Sequence, residues 1–327
     1  MIQRRYAFTA LGAAALAASL KLSAQTTTQA AWPAKPVRFV VAFAPGGPAD
    51  IIARLLGQRL GDALGQSVVV ENRPGAGGSV ASGLIARAEP DGYTLLINTS
   101  SYAVNPAMAR NPTFDAEKDL VLASLVASSP NLIVGAPGLK ARTMKEVMAE
   151  AQSGKYNYGS AGAGTTPQLS AEYLFKVLGK VNVTHVPFQG AGPALNAAMA
   201  GQIELASVAL PAAVELVKSG KVRGLAVTSS KRVAAIPDVP TVAESGYAGF
   251  EDYTWVGVFA PARTPEPVIS RLNREIAAIQ KTPEFQARLA AAGFEVMGGS
   301  PREAQDFLKA ELAKWAVVVR ETGAKAD

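Results

Sequence analysis

The sequence predicts an α/β protein built from two doubly wound parallel sheets. Short apolar strands alternate with helices from about residue 32 to the end of the chain, the order that sheets covered by helices on both faces require. Glycine-rich turns follow several strands, and proline begins several of the helices after them. With 327 residues, of which 49% are hydrophobic, the chain is long enough for two such domains.

The first α/β unit begins at Val37. Residues 37–43 are rich in β-branched and aromatic side chains without polar alternation, which predicts a strand covered on both faces. The turn Pro45-Gly46-Gly47-Pro48 ends that strand, because proline removes backbone donors and glycine allows conformations closed to other residues. A helix follows, with Pro48 at its first position and Asp50 in its first turn. Its N–H groups point beyond the strand end, where the helix dipole favours an anion.

Strands and helices alternate along the rest of the chain in the same way. The predicted strands span residues 67–71, 93–98, 156–160, 181–186, 203–209 and 223–228. The predicted helices span residues 79–87, 166–178, 211–220, 265–280 and 301–320, two more begin at residues 143 and 193, and residues 105–119 form a connection. Proline begins a helix after a strand at Pro48, Pro167 (with Thr166 as the N-cap), Pro193 and Pro211. Helix N-termini should therefore point toward strand ends in both domains.

Two long strands should connect the domains. Residues 121–134 are apolar and long enough to cross from one domain to the other, and residues 250–261 suit a strand that crosses back. We therefore expect one domain over residues 32–131 plus 253–327 and a second over residues 132–252. Ligands of doubly wound sheets bind beyond the carboxyl ends of the strands. The leading turn and the turn over residues 160–166 would then form the two sides of one anion-binding cleft.

The first 31 residues differ from the rest. Arg4 and Arg5 precede an Ala- and Leu-rich run over residues 7–20, and small residues at Ser23 and Ala24 suit a cleavage site, which predicts an export signal. The apolar run is short for a membrane span, although an uncleaved anchor is the alternative. The arginine pair hints at the twin-arginine route without deciding the export route. We expect a periplasmic protein whose signal is removed.

Composition argues against several classes of function. The signal holds three of the 32 basic residues and no acidic residue, so the mature chain has 29 basic and 26 acidic residues and its net charge falls from +6 to +3. The basic residues are scattered, which argues against nucleic-acid binding. The chain has no cysteine and one histidine, His185, so we expect neither a disulfide nor a metal or other cofactor.

An enzymatic function has little support. A Ser-His-Asp triad would need an activated serine beside His185, but the Gly-x-Ser-x-Gly motif does not occur, and we interpret His185 as a structural residue at the core edge. A dinucleotide-binding dehydrogenase is the strongest enzymatic alternative, because glycine turns after strands are its signature too. However, Gly75 and Gly77 are followed by Val80 where that motif needs its third glycine. We predict no catalytic residues.

Nine short motifs give the chain a resemblance to a known family. In order they are FAPGGPAD, VVVENRPGAGG, EPDGYTLL, YGSAGAGTTPQL, THVPFQGAGPAL, GQIELA, VRGLAVTSSKR, IPDVPTVAESG and WVGVFAP. Over residues 32–327 the chain resembles the Bug family, the TctC-like periplasmic receptors of tripartite tricarboxylate transporters. The resemblance implies a type II periplasmic-binding-protein-like fold, in which two doubly wound α/β domains joined by crossover strands close around a central cleft.

The resemblance also implies a function. The cleft would bind a small organic carboxylate, largely through backbone amides and ordered waters, and the monomeric receptor would deliver it to TctA- and TctB-like membrane subunits. Some relatives instead serve a membrane sensor, and that alternative stays open. By motif, one carboxylate-binding loop spans residues 43–50 and the other spans residues 160–166. The implied ligand-binding residues are Phe43, Pro45, Gly46, Gly47, Pro48, Asp50, Thr99, Ser100, Tyr102, Ser160, Ala161, Gly162, Gly164, Thr165, Thr166, Gln168, Phe188, Gln189, Gly190 and Ala209.

Several residues depart from the family pattern. Gln168 stands where histidine is frequent, Gln189 where lysine or arginine is frequent, and Val208 and Ala209 where polar residues are frequent. These departures suggest an aromatic or otherwise apolar carboxylate, which the rings of Phe43, Tyr102 and Phe188 would face. Asp50 has two interpretations: it accepts a hydrogen bond from the ligand, or it bonds back to the turn as the N3 residue of the helix.

Overall fold

Two β-sheets that share one long strand organise the fold. The computed structural model describes residues 32–154 and 156–324. The predicted export signal, residues 1–31, lies outside the described residues. Within the described part, no helix combines the length and the apolar composition needed to span a membrane.

The first sheet is built around β1 (Val37–Val41), which pairs in parallel with β2 (Val68–Asn72) and β3 (Thr94–Thr99). Next to β3 lies the antiparallel strand β9 (Tyr253–Pro261), which in turn pairs with β4 (Leu120–Gly135). The short strand β10 (Glu295–Val296) adds to β4. The helices of this half of the molecule are α1 (Pro48–Leu64), α2 (Ser79–Ala86), α3 (Ser101–Met108), α8 (Glu266–Gln280), α9 (Pro283–Ala291) and α10 (Pro301–Thr322).

The second sheet has the strand order β8-β4-β7-β5-β6. Its other strands are β5 (Asn157–Ser160), β6 (Thr184–Pro187), β7 (Leu205–Ala209) and β8 (Arg223–Val227). Its helices are α4 (Met144–Ala151), α5 (Thr166–Glu172) with a π-helical continuation (Tyr173–Leu178), α6 (Ala191–Met199) and α7 (Val214–Lys218). We call the parts of the chain that build and cover the two sheets the first half and the second half.

The strand β4 passes from one sheet into the other. It pairs with β9 as far as Pro130 and with β7 from Asn131 onward. In the second sheet, alternate residues of β4 point to opposite faces: Leu132 and Val134 pack in one buried cluster and Ile133 packs in another. The predicted crossover segments, 121–134 and 250–261, thus correspond to β4 and β9. The division into domains at residues 131 and 252 stays a prediction.

Bulges in β4 leave buried carbonyl groups that amide side chains of the first half satisfy. The register between β4 and β9 shifts twice, between Leu122 and Ser124 and again a few residues later. Asn273 Nδ2 donates to Ala123 O at 3.0 Å, and Gln280 Nε2 donates to carbonyl groups on both sides of the second shift, at 3.0 and 2.8 Å. A bulge takes carbonyls out of the ladder between β4 and β9, and these buried amides on α8 supply donors to them; Val126 O also accepts from Met297 N at 3.1 Å.

Most strand and helix predictions agree with the structure to within a few residues, with five exceptions, of which the first is the short strand β10, which was not predicted. The predicted connection over residues 105–119 begins inside α3, which contains Pro106. The helix α9 was not predicted, although Thr282 and Pro283 supply an N-cap and a first helical residue.

The other two exceptions are helix starts. The N-cap of α5 is Thr165 and not Thr166, and α6 begins at Ala191, two residues before Pro193. Proline therefore marks the first turn of these helices rather than their first residue.

The amide of Gln280 should be a main support of the strand β4. Gln280→Leu removes the donor to Leu125 O, Val126 O and Met297 O, of which Val126 O keeps Met297 N as a partner. A buried group left unsatisfied costs about 1–3 kcal/mol. We expect a loss of about 2–4 kcal/mol in the free energy of unfolding, measured by urea denaturation. The control is Gln305→Leu, which removes one bond, from Gln305 Nε2 to Leu122 O. Equal losses in the two variants would contradict this role.

Candidate functional site

The loop between β1 and α1 is held by Asp50, the third residue of the helix. Its carboxylate accepts hydrogen bonds from Gly46 N and Asn72 Nδ2, both at 3.0 Å, and pairs with Arg54 at 2.9 Å. Asn72 Nδ2 also donates to Phe43 O at 2.9 Å. The loop backbone is therefore held in shape by side chains of β2 and α1 before any ligand arrives.

These partners keep Asp50 ionised. Burial of its carboxyl opposes ionisation, but hydrogen bonds from Arg54, Gly46 N and Asn72 outweigh burial and hold its pKa below the ordinary value. Asp50 is 4% exposed, and its oxygens are occupied by the loop. The geometry favours the interpretation in which Asp50 bonds back to the turn.

Hydrogen bonds from side chains also hold the shape of the loop after β5. Ser160 Oγ accepts from Gly162 N at 3.1 Å, and Thr165 Oγ1 donates to Gly162 O at 2.8 Å. Gly164 N donates to Gln168 Oε1 at 2.9 Å. Gln168, which stands where the family often has histidine, thus braces the loop from α5.

The loop between β6 and α6 closes against the first loop. Ala44 N of the first half donates to Gln189 O of the second half at 3.0 Å. A Cβ added at Gly190 would lie 3.1 Å from Ala44, and one added at Gly192 would lie 2.7 Å from Pro45 O. The absence of side chains at these glycines is what lets the two backbones meet.

A small cavity lies where the three loops meet. Its volume is about 20 Å³, which is room for about one water molecule and too little for a dicarboxylate. Its lining residues are Phe43, Gly47, Pro48, Thr99, Ala161, Thr165, Pro167, Ala191, Ala209 and Thr254. Of the residues that the structure describes, no charged side chain lines this cavity. The starts of α1 and α6 do, and the N–H groups of a first helical turn have no partner within the helix.

A second contact between the halves involves glycines that follow β2. Asn105 Nδ2 donates to Gly77 O at 2.7 Å and to Ser101 O at 2.9 Å. A Cβ added at Gly77 would lie 2.2 Å from Ala163 O, and one at Gly164 would lie 2.1 Å from Asn105 Oδ1. The halves are therefore in direct backbone contact here, and the structure is in a closed arrangement.

The buried hydroxyl groups of Ser100 and Thr166 meet across the two halves. Ser100 Oγ lies 3.0 Å from Thr166 Oγ1, which lies 2.6 Å from Thr254 Oγ1 on β9. Thr254 Oγ1 donates to Asn131 Oδ1 at 2.7 Å, and Asn131 Nδ2 donates to Asp252 Oδ2 at 2.8 Å. This chain of hydrogen bonds ends at a carboxyl group beside the crossover strands.

The pKa of the Asp252 carboxyl is strongly shifted by its surroundings. Burial raises the pKa of its carboxyl to about 7, against a smaller opposing effect of the hydrogen bond from Ser170. On α10, Lys314 favours ionisation and Glu311 opposes it. A fraction of the Asp252 carboxyl groups is therefore protonated at neutral pH.

The histidine forms part of a structural cluster in the second half. His185 Nε2 lies 2.7 Å from Ser160 Oγ, and its ring stacks on Tyr158 at 4.9 Å between centroids. Glu172 accepts from the Tyr158 hydroxyl at 2.9 Å. Burial lowers the pKa of His185 to about 4, so the ring is neutral at neutral pH. The cluster holds Ser160 at the start of its loop, which supports the structural interpretation of His185.

The structure brings many of the predicted site residues together. Seven of them line the cavity: Phe43, Gly47, Pro48, Thr99, Ala161, Thr165 and Ala209. Others shape the three loops, namely Pro45, Gly46, Asp50, Ser160, Gly162, Gly164, Gln168, Gln189 and Gly190, whereas Ser100 and Thr166 bond to each other.

Three lining residues were not predicted: Pro167, Ala191 and Thr254. The pattern of prolines at helix starts included Pro167, but no sequence signal marked Thr254, which is the second residue of the crossover strand β9. That the predicted residues contact a ligand stays a prediction.

The aromatic part of the site prediction needs correction. Tyr102 is 1% exposed; its ring packs against Phe114 and Phe259, and its hydroxyl donates to Ala116 O at 2.9 Å. The prediction was wrong because α3, which was not predicted, turns this side chain into the core. Phe188 packs against an apolar cluster of the second half. Phe43 is the aromatic residue that lines the cavity.

Comparison with known proteins identifies relatives over nearly the whole chain. Residues 52–324 match the family described as tripartite tricarboxylate transporter family receptor. The protein BugT of Bordetella pertussis is 36% identical over 298 residues, covering 90% of this chain and 91% of BugT.

Two solved structures of relatives were determined with carboxylates. Rpa4515 of R. palustris, with adipate, is 34% identical, has a TM-score of 0.86, and covers 90% of this chain and 99% of its own. MatC of Rhodopseudomonas palustris, with bound malate, is 32% identical, has a TM-score of 0.83, and covers 88% of this chain and 100% of its own. These matches confirm the α/β periplasmic-binding-protein fold.

The contact at Gly77 should control closure. In Gly77→Ala the new methyl group meets Ala163 O, so we expect the halves to stay apart and the radius of gyration from small-angle X-ray scattering to rise. The matched control is Gly65→Ala: Gly65 has φ of 67° against 58° for Gly77, but nothing lies within 4 Å of its added Cβ. Backbone strain of about 1–2 kcal/mol should affect both variants. Identical scattering from Gly77→Ala and Gly65→Ala would mean that closure does not need this contact.

The raised pKa of Asp252 should make folding stability depend on pH. Between its ordinary value of 3.8 and about 7, the folded chain binds more protons at this site than the unfolded chain. Stability from this group therefore falls as pH rises through that window. We expect wild type to lose more stability than Asp252→Asn between pH 5 and pH 8, measured by urea denaturation. His185 has the opposite effect between pH 4 and 6.5, but it is present in both chains and cancels in the difference. The same pH dependence in both chains would contradict the assignment.

Proposed function

Because the chain belongs to the TctC/Bug family of tripartite tricarboxylate transporter receptors, we propose that it binds a small organic carboxylate between its two halves and delivers it to a membrane transporter. The family is one of periplasmic solute-binding proteins and not of enzymes. The observation that carries the proposal is the cavity at the meeting point of the three loops, where two helices begin and no charged side chain of the described residues takes part.

A carboxylate suits this cavity because backbone N–H groups of helix starts lie at it and no charged side chain of the described residues lines it. The helix α1 is 17 residues long and α6 is 9 residues long, and both begin at the cavity. Their first-turn N–H groups and the positive ends of their dipoles favour an anion. The relatives solved with adipate and malate, which are both dicarboxylates, support this class of ligand.

The body of the ligand should be apolar. Side chains of Phe43, Ala161, Pro167, Ala191 and Ala209 provide most of the lining. A second carboxylate at this wall would have no cationic side chain to pair with, and burying an unpaired charge is costly. We therefore propose an aromatic or aliphatic carboxylate whose charge lies at the helix starts and whose body faces this wall.

Binding requires the two halves to separate first, because the closed cavity is too small for such a ligand. The ligand would enter an open form, contact loops of both halves, and stabilise a closed form through its higher affinity for it. The predicted export signal, residues 1–31, would place the receptor in the periplasm, where TctA- and TctB-like membrane subunits would receive the ligand.

The first test is thermal melting with separate ligands: adipate, malate, benzoate and hexanoate, with a nicotinamide dinucleotide as the rival. A ligand at 100 times its dissociation constant stabilises the folded form by about 2.7 kcal/mol, which raises the melting temperature by several degrees. We expect the largest shift with a monocarboxylate. The protein is unfolded, dialysed and refolded beforehand to remove ligand from the host.

A matched pair of variants locates the site. Ala161→Leu fills the cavity wall and should abolish the shift, whereas Ala212→Leu, which is half-buried and outside the lining, should retain it. A shift with the dinucleotide alone would overturn the proposed function. A larger shift with malate than with any monocarboxylate would overturn the apolar part of the proposal and leave the receptor function in place.

A further inference from the structure

The hydroxyl groups that join the two halves form a directional chain. Asn131 donates through Nδ2 to the carboxyl group of Asp252, so its carbonyl oxygen faces Thr254, and the Thr254 hydroxyl must donate to it. Thr254 then accepts from Thr166, and Thr166 accepts from Ser100, because each hydroxyl has one proton. The Asp252 end thus sets the direction of every bond as far as Ser100.

The members of this chain lie on parts of the molecule that must move relative to one another. Ser100 is the N-cap of α3 in the first half, and Thr166 is the first residue of α5 in the second half. Thr254 and Asn131 belong to the crossover strands β9 and β4. The bond between Ser100 and Thr166 therefore spans the two halves, whereas the bonds beyond Thr254 stay with the crossover strands.

We propose that Ser100 and Thr166 form a latch that stabilises the closed arrangement, and that Thr254 and Asn131 position the Thr166 hydroxyl for it. This role replaces the direct ligand contact expected for both residues from the sequence. The inference rests on the proposed function only in that the two halves open to admit a ligand, since the latch itself acts in the protein alone.

Burial gives the latch its selectivity for full closure. Ser100 is 0% and Thr166 is 1% exposed in the closed arrangement. A hydroxyl removed from water without a new partner carries a penalty, whereas the paired hydroxyls recover it. A partly closed molecule would have dry but unpaired hydroxyls, so the pair favours the fully closed form over intermediate ones.

The test measures the closed and open populations without ligand. The chain has no cysteine, so Gln58→Cys on α1 and Asn196→Cys on α6, both exposed, place two spin labels across the halves. Pulsed electron spin resonance then gives the distribution of distances between the labels. In the otherwise wild-type protein we expect a short-distance, closed population.

Removing the hydroxyl group of Ser100 or of Thr166 should shift the distribution of distances between the labels. We expect Ser100→Ala and Thr166→Val each to lower the ratio of closed to open molecules by about 2- to 10-fold, the value of one net hydrogen bond. Thr166→Ser keeps the hydroxyl and should restore the ratio. The matched control is Ser129→Ala on β4: Ser129 Oγ is buried and has no hydrogen-bond partner within the described part of the chain. This control should leave the ratio unchanged.

Outcomes separate the latch from the proposed function. A wild-type protein with no closed population, or an unchanged ratio in both Ser100→Ala and Thr166→Val, would overturn the latch. Melting curves identify any variant that fails to fold, and Ser100→Ala then decides the question alone, since it removes a small side chain. Benzoate and adipate are added last: a change in the distance distribution supports the receptor function, and its absence counts against that function and not against the latch.

Discussion

Movement of the two halves is constrained by β4 and β9, which pair with each other along the first sheet and carry the chain between the halves. β4 is a single strand of 16 residues that belongs to both sheets. Its bulges and the amides of Asn273 and Gln280 anchor it to α8 in the first half. The change of partner at Asn131 is therefore a natural place for bending. The cavity lies close to this point, because Thr254 in its lining donates to Asn131 and Ala209 in its lining pairs with Asn131 across the sheet.

The closed cleft is assembled from backbone rather than from charged side chains. Asp50 and Arg54 form an ion pair, but they use it to hold the first loop and not to line the cavity. Gln168 does the same for the second loop. This division leaves N–H groups fixed in direction before a ligand arrives, so little conformational freedom remains to be lost on binding. Under the proposed function, a cleft of this kind would select an anion by the shape of the part that carries no charge.

Local features of the fold could be predicted from the sequence, and features that depend on distant contacts could not. The turn before Pro48 and the helix it starts follow from glycine and proline chemistry within a few residues. Tyr102 was misplaced because its orientation depends on α3, a helix whose proline made residues 105–119 resemble a connection. The pairing of Ser100 with Thr166 joins residues 66 positions apart, and no local pattern in either segment indicates it.

The departures from the family pattern acquire a common physical meaning in the structure. Gln168 Oε1 accepts from Gly164 N, Ala209 at the end of β7 lines the cavity with an apolar side chain, and Val208 packs in the apolar core of the second half. Here the support comes from neutral hydrogen bonds, and the wall contributes apolar surface alone. Under the proposed function, recognition at the wall would depend on the volume and polarity of the ligand body, because burial of apolar surface is favourable and burial of a second, unpaired charge is costly.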